Sequence, residues 1–297
     1  MAGRGLHWSI PFTRSTMADI GVELDARIAA GEPFWLPGLA DALVEDFWST
    51  PQATTQTGYT TARWLGEMPP FADAPHNSRE GLTIEPLPKV FQGRFRDAAA
   101  MGSHIAIRAA IDTTLTQLTA GDAGGTVTHL VRAIHVIEAP GPGYDISHSE
   151  PSIPFSIFVS VPVGERHGTL RLAESLLHEA LHLQLTLLER HVPMVLDTAA
   201  TGYSPWQQSQ RPLSGLLHGL YVFAAIDQWL ALLDAAPSTS SEDRIYLTRR
   251  RAEIAEEIAD VATLADAPSL TPTGHHLASW LLTSQERTGA PSHQAAR

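Results

Sequence analysis

Apolar positions recur with a helical period over much of the chain. Met17 to Ala30 places Ile20, Val22, Leu24 and Ile28 at helix-like spacing and stops at Gly31, and Leu39 to Trp48 reads as a second short helix. Thr50 to Asn77 is rich in Pro, Thr and Gly and reads as irregular, with at most a turn near Trp64. A longer helix is predicted over Asp97 to Leu118, ended by Gly121 and the Gly124-Gly125 pair. The texture then changes. Thr126 to Glu138 is β-branched and apolar on both alternations, the pattern of a strand covered on both faces. Gly141-Pro142-Gly143 breaks it. Ile153 to Val163 is a second strand with Pro154 and Pro162 near its ends, and the two strands are expected to pair as a small sheet beside the helices.

An uninterrupted helical run follows, Leu172 to Glu189. Val192 to Pro212 is polar and broken by prolines and a glycine, and reads as a long loop, a length that in a compact domain points to function or disorder. Pro212 suits the first turn of the next helix, Leu213 to Leu233. Ser241 to Leu264 is a further helix with a solvated face marked by Arg249, Arg250, Arg251, Glu253, Glu256 and Glu257. Gly274 to Thr283 is the last, and Gln285 to Arg297 reads as a disordered tail. No internal repeat is visible.

The run Leu172 to Glu189 carries the most informative residues, His178-Glu179-Ala180-Leu181-His182, an HExxH motif. Residues four apart on a helix lie one turn apart on one face, so two imidazoles there can grip one metal ion with a glutamate beside them. At about 100° per residue, Glu174, His178, His182 and Glu189 share a sector about 80° wide. The rest of the helix is largely leucine, the mark of a buried helix, and buried charges need partners or a metal. A short motif of this kind also arises by accident; the aligned Glu174 and Glu189 in a leucine setting argue against that.

A metal needs at least a third ligand. Glu189 faces the right way but lies about 10 Å along the axis from His182, so it, or Glu174, better suits an acceptor for an imidazole N–H. His191 and Asp197 follow the helix closely and remain open. His218 is the stronger candidate: it sits mid-helix among apolar residues, after a stretch long enough to turn the chain, flanked by Gly215 and Gly219, which permit close approach. Two chemistries fit. One is zinc hydrolysis with Glu179 activating water. The compact HExxHxxGxxH form is absent, since Leu185 and Leu188 stand at its last two positions, and no Glu lies between Pro205 and Leu233. The other is oxygen activation by Fe(II), which takes a facial triad with open positions.

Composition narrows the partners. The chain has 297 residues, 43% of them hydrophobic, so it can bury a core, and its net charge of −12 argues against a nucleic-acid binder. It has no cysteine, which removes thiolate metal sites, disulfides and cysteine nucleophiles. The N-terminus lacks the apolar core of a signal peptide, and no stretch reads as about 18 continuous apolar residues. A cytoplasmic protein without a membrane span is expected. The predicted architecture is mainly α with a small β-sheet (α+β), the metal site lying on the buried HExxH helix. One catalytic domain is expected over 1–285: a helical N-terminal region over 1–120, a metal-binding core over 121–235 and C-terminal helices over 236–285, with 286–297 as tail.

The block order resembles a known family. Ser149-Glu150-Pro151 with IPFSIFVSVP, then LAESLLHEALHLQLTLLE, Ser204-Pro205-Trp206, Arg211-Pro212 and LLHGLYVF are similar to the HExxH-type Fe(II)/2-oxoglutarate-dependent peptide β-hydroxylases, the HExxH peptide-modification proteins of ribosomal peptide natural-product pathways. The likeness covers roughly residues 145 to 226. It implies Fe(II) held by His178, His182 and His218, 2-oxoglutarate as cosubstrate with Arg211 on its far carboxylate, and O₂. A side-chain β-carbon of a precursor peptide would be hydroxylated, with succinate and CO₂ as products. Guanidinium suits a carboxylate because it binds bidentately; the competing role for Arg211 is a structural salt bridge or an ordinary surface arginine. Glu179 would then orient a ligand or substrate. His148-Ser149-Glu150 looks like the HxD/E of jelly-roll 2-oxoglutarate enzymes, but that fold needs about eight strands, and His148 is expected in a turn.

Overall fold

The structure is a computed structural model. It describes residues 40, 43, 44, 47, 82–88, 91–98, 104–118, 123–150 and 155–289. The helix expected over Met17 to Ala30 and the irregular stretch Thr50 to Asn77 lie outside these. Of Leu39 to Trp48, the described Ala40, Leu43, Val44 and Phe47 are helical and buried, the i, i+3, i+4, i+7 face of an amphipathic helix. The fold is mainly helical with a small mixed sheet, as the apolar periodicity implies.

The described residues fall into two compact units, divided after Leu187. The first holds strand β1 (Thr83–Glu85), helices α1 (His104–Leu118) and α2 (Ala123–Leu130), strands β2 (Ala133–Val136), β3 (Ser147–Ser149) and β4 (Ser156–Val159), and most of helix α3 (Gly168–Glu189). The sheet order is β1-β2-β4-β3: β1, β2 and β4 run parallel and β3 is antiparallel at the edge. Every residue of β2 and β4 is buried, as their two-sided apolar pattern demands. A parallel pair needs a crossover, and α1 with α2 supplies it between β1 and β2. Leu87, Phe91, Ile137 and Phe158 form one core cluster, with Phe95 and Ile146 packed on it.

Three expectations are corrected in this unit. Asp97 and Ala98 are not helical: Asp97 bridges Ile137, and its carboxylate accepts a hydrogen bond from the Leu87 N–H at 3.2 Å, so a local side-chain acceptor displaces the helix. Thr126 to Leu130 is helical although β-branched. Gly124, Val127 and Leu130 form a buried helical face, α2 packs on α1, and that contact outweighs strand propensity. The strand starts only where the Arg132 and Ala133 N–H groups reach the Phe155 carbonyl, at 2.8 and 3.1 Å. His148 lies in β3 opposite Phe158, not in a turn.

The entry to α3 is fixed by one guanidinium. Arg171 Nε and Nη2 donate to the two Asp145 oxygens at 2.7 Å each, and Nη1 donates to Glu165 Oε2 at 2.8 Å. Glu165 Oε2 also accepts the N–H of Gly143, whose φ of +79° favours glycine. Arg171 holds the Glu165 carboxyl below its ordinary range, with the Gly143 N–H adding to this. A β-carbon on Gly168 would overlap the Pro162 carbonyl, so the turn into the helix admits only glycine.

The second unit begins at Leu188. Strands β5 (Thr201–Ser204) and β6 (Ser209–Pro212) form an antiparallel hairpin inside the stretch expected to be a loop. Its side-chain pattern is not alternating, and register comes from the turn Pro205–Gln208, with Gln208 at φ +48°. Pro212 caps helix α4 (Leu213–Ala235). Helix α5 (Ser241–Ala259) follows, started by the Ser240 hydroxyl accepting from the Asp243 N–H at 3.0 Å. A 3₁₀ turn (Ala262–Asp266) ends the helix expected to reach Leu264. Helix α6 (Pro272–Gly289) runs beyond the expected Thr283 and takes in 286–289 of the expected tail; 290–297 lie outside the described residues. α4 packs on α5 and α6. By length and composition α4 would qualify as a membrane span, but 78% of its most apolar window is buried inside the protein, which accounts for its apolarity. Its buried Asp227 accepts from Arg251 Nε at 2.8 Å.

Burial supplies a testable pH response. His135 in β2 is fully buried beneath the Phe158 ring, its Nδ1 2.9 Å from the Pro86 carbonyl, and desolvation lowers its pKa. An unfolded His takes up a proton near pH ~6.5 that the folded chain refuses. Stability should therefore fall as pH drops through that value. Urea unfolding midpoints measured between pH of about 7.5 and 5 should decline less in His135→Leu than in the wild type. Equal slopes would show that His135 is not the group responsible.

Candidate metal centre

The helix α3 is buried on most of its circumference: Leu172, Leu176, Leu177, Leu181, Leu183, Leu185, Leu187 and Leu188 are all in the core. Glu174, Ser175, His178, His182, Thr186 and Glu189 are partly exposed. The polar stripe is thus present, but Leu185, in the same sector, is fully buried and separates Glu189 from the histidines.

Within the first unit, His178 and His182 meet. Their Nε2 atoms are 3.1 Å apart and the rings stand edge to face, with centroids 4.7 Å apart. Two imidazole nitrogens at that distance repel unless a proton or a cation lies between them. Nitrogens bound to one ion at about 2.1 Å each stand about 3.1 Å apart when the angle at the ion is near a right angle. The pair therefore fits a shared metal as well as a shared proton. Glu179 lies beside it: its side chain is 5% exposed and Oε1 is 4.0 Å from His178 Nε2. A carboxylate so deeply placed needs a cation or a donor near it, and the ionisable side chain within ion-pair distance of it among the described residues is His178, which is charged only when protonated.

Within the second unit, Glu189 meets His218. Glu189 Oε2 is 3.0 Å from His218 Nε2, and both side chains are mostly enclosed. A carboxylate on one ring nitrogen fixes the tautomer and orientation of an imidazole. Glu189 does accept an imidazole contact, from His218 on α4. Glu174 lies on the same face of α3 as the histidines. Among the described residues no group of three or more His, Asp or Glu side chains is arranged to hold a metal ion, so the geometry supplies two nitrogens and not a complete set.

Arg211 lies on β6 opposite Gly202, exposed, with no ion pair among the described residues. The structural salt bridge that competed for it is not formed among these residues. A β-carbon on Gly215 would meet the Arg211 Cβ at 4.0 Å, an ordinary contact, so glycine is not needed there. Gly219 is different: a β-carbon there would overlap the six-membered ring of Trp206. That ring stacks on Phe223 at 5.2 Å and 13°. Trp206 was legible only within a family-like block; its contact with Gly219 needs the hairpin, which periodicity did not reveal.

No protein-family model matches the chain, and no curated protein matches it.

Removing either imidazole of the pair should abolish tight metal binding. His178→Ala and His182→Ala, dialysed with Fe(II) or Zn(II), should each carry far less than the wild-type metal by elemental analysis. Wild-type metal content in His182→Ala would eliminate the shared site.

Proposed function

We propose that the chain is an Fe(II)- and 2-oxoglutarate-dependent dioxygenase that hydroxylates a side-chain β-carbon of a ribosomally made precursor peptide. The observation that carries a metal centre is the His178–His182 nitrogen pair at 3.1 Å beside the buried Glu179. The choice of oxygen chemistry rests on the family-like blocks and on Arg211, a guanidinium left without an ion partner among the described residues. In this reading His178 and His182 hold the iron and His218 is the third ligand, its ring oriented by Glu189. Bound iron supplies the activation of O₂. Arg211 takes the far carboxylate of 2-oxoglutarate by two parallel hydrogen bonds. Glu179 orients what binds beside His178. One O₂ and one 2-oxoglutarate are consumed for each C–H converted to C–OH, with succinate and CO₂ released. Burial of α4 among α5 and α6 supports a cytoplasmic rather than a membrane setting.

A zinc metallopeptidase is the second reading. The observation favouring it is Glu179 itself, a carboxylate 4.0 Å from His178 Nε2, where a general base for metal-bound water belongs.

Anaerobic Fe(II) with 2-oxoglutarate should give a visible charge-transfer band, and O₂ should then release succinate. Absence of both ends the hydroxylase reading. His218→Ala should lose iron about as badly as His178→Ala; retained iron would move the third ligand elsewhere. Arg211→Ala should raise the 2-oxoglutarate requirement by about tenfold or more with metal binding kept. Zn(II)-dependent peptide cleavage that disappears in Glu179→Gln would select the peptidase instead.

A further inference from the structure

The hairpin β5–β6 is seated on α4 by glycine. A β-carbon on Gly202 would lie 2.7 Å from Leu216 Cδ1, and one on Gly219 would overlap the Trp206 ring. Arg211 pairs directly with Gly202, and opposed residues of an antiparallel pair project to the same face, so Arg211 lies on the side of the hairpin that meets α4. A β-carbon built on Gly215 would come within 4.0 Å of the Arg211 Cβ, and Gly215 is three residues, about one helical turn, from His218. Trp206, in the turn of the same hairpin, covers Gly219, the residue after His218. The ring also stacks on Phe223, one turn further along α4, over which Arg250 lies at 5.5 Å. Arginine and tryptophan thus sit at the two ends of a short hairpin seated on α4, the helix that also carries His218.

We infer that Trp206 is a positioning residue: its ring, seated on Gly219, fixes the hairpin on α4 and thereby fixes Arg211 relative to His218. This rests on the reading of Arg211 as carboxylate anchor. It assigns the Trp206–Gly219 contact to cosubstrate affinity, not to metal binding. A guanidinium clamp is sensitive to such seating because its two hydrogen bonds are directional, and displacement of about 1 Å costs binding and rate steeply. Residue 219 must be glycine because any side chain would push the ring, and with it the hairpin, off the helix.

The test is a double-mutant cycle on the full chain with Gly219→Ala, Trp206→Ala and both together, with Trp206→Phe as the conservative control. Two quantities are read: amide hydrogen exchange over residues 201–212 in the ligand-free protein, and the affinity for 2-oxoglutarate with Fe(II) under anaerobic conditions. Gly219→Ala should speed exchange in the hairpin and weaken 2-oxoglutarate about tenfold while Fe(II) content stays at the wild-type level. Adding Gly219→Ala to Trp206→Ala should change neither quantity further, because the clash has been removed, and Trp206→Phe should recover some of the affinity. The inference is overturned if Gly219→Ala leaves hairpin exchange and affinity unchanged, or if its effect is as large without Trp206 as with it. A wild-type chain that binds no 2-oxoglutarate sinks the proposed function and the cosubstrate role together. That failure is recognised because the coupled effect on exchange would persist.

Discussion

Two imidazole nitrogens stand 3.1 Å apart on a helix walled by leucine, a distance that suits a hydrogen bond between the rings or a shared cation, and the helix backbone and its leucine packing impose that approach. In water the rings would simply turn away from each other. Here Leu177, Leu181 and Leu185 are in the core, the backbone is fixed by the helix, and the two rings remain partly exposed. Glu179 is buried next to them, with Oε1 4.0 Å from His178 Nε2.

The direction of that face is set at the start of the helix. Arg171 ties α3 to Asp145 and Glu165, and Gly168 packs under Pro162, so the first turn enters at a fixed angle and the histidines, two and three turns later, follow from helical geometry. The second unit uses a different device. α4 is apolar nearly all round because α5 and α6 cover it, and two of the polar groups it retains are matched, Asp227 with Arg251 and His218 with Glu189. A hairpin then lies against it, where Gly219 lets an indole ring approach the helix and Gly202 makes room for the Leu216 side chain.

Long helices and fully buried strands were legible in the sequence because burial imposes a period that a single chain displays. α3, α4 and the strands β2 and β4 follow from leucine, valine and isoleucine spacing alone. Short elements were not legible. Thr126 to Leu130 carries strand-like residues in a helix, since its packing on α1 decides the outcome. β1, β3 and the hairpin strands are as short as β2 and β4 but are not fully buried, so no continuous apolar run marks them. Asp97 reads as a helix start and acts as an acceptor for a backbone N–H ten residues earlier, a partner no local window contains.

The same division holds at the site. Spacing was enough to put His178 and His182 on one face of a buried helix, because four residues on an α-helix leave no alternative. It also marked Glu189 and His218 as polar residues in apolar settings that required partners. Packing in three dimensions made those two each other's partner, set Leu185 between the two ends of the polar stripe, and laid Trp206 in the space that Gly219 leaves. Contacts between residues 29 apart in the chain, or between a hairpin turn and a helix face, depend on how the chain turns between them, and periodicity carries no record of that path.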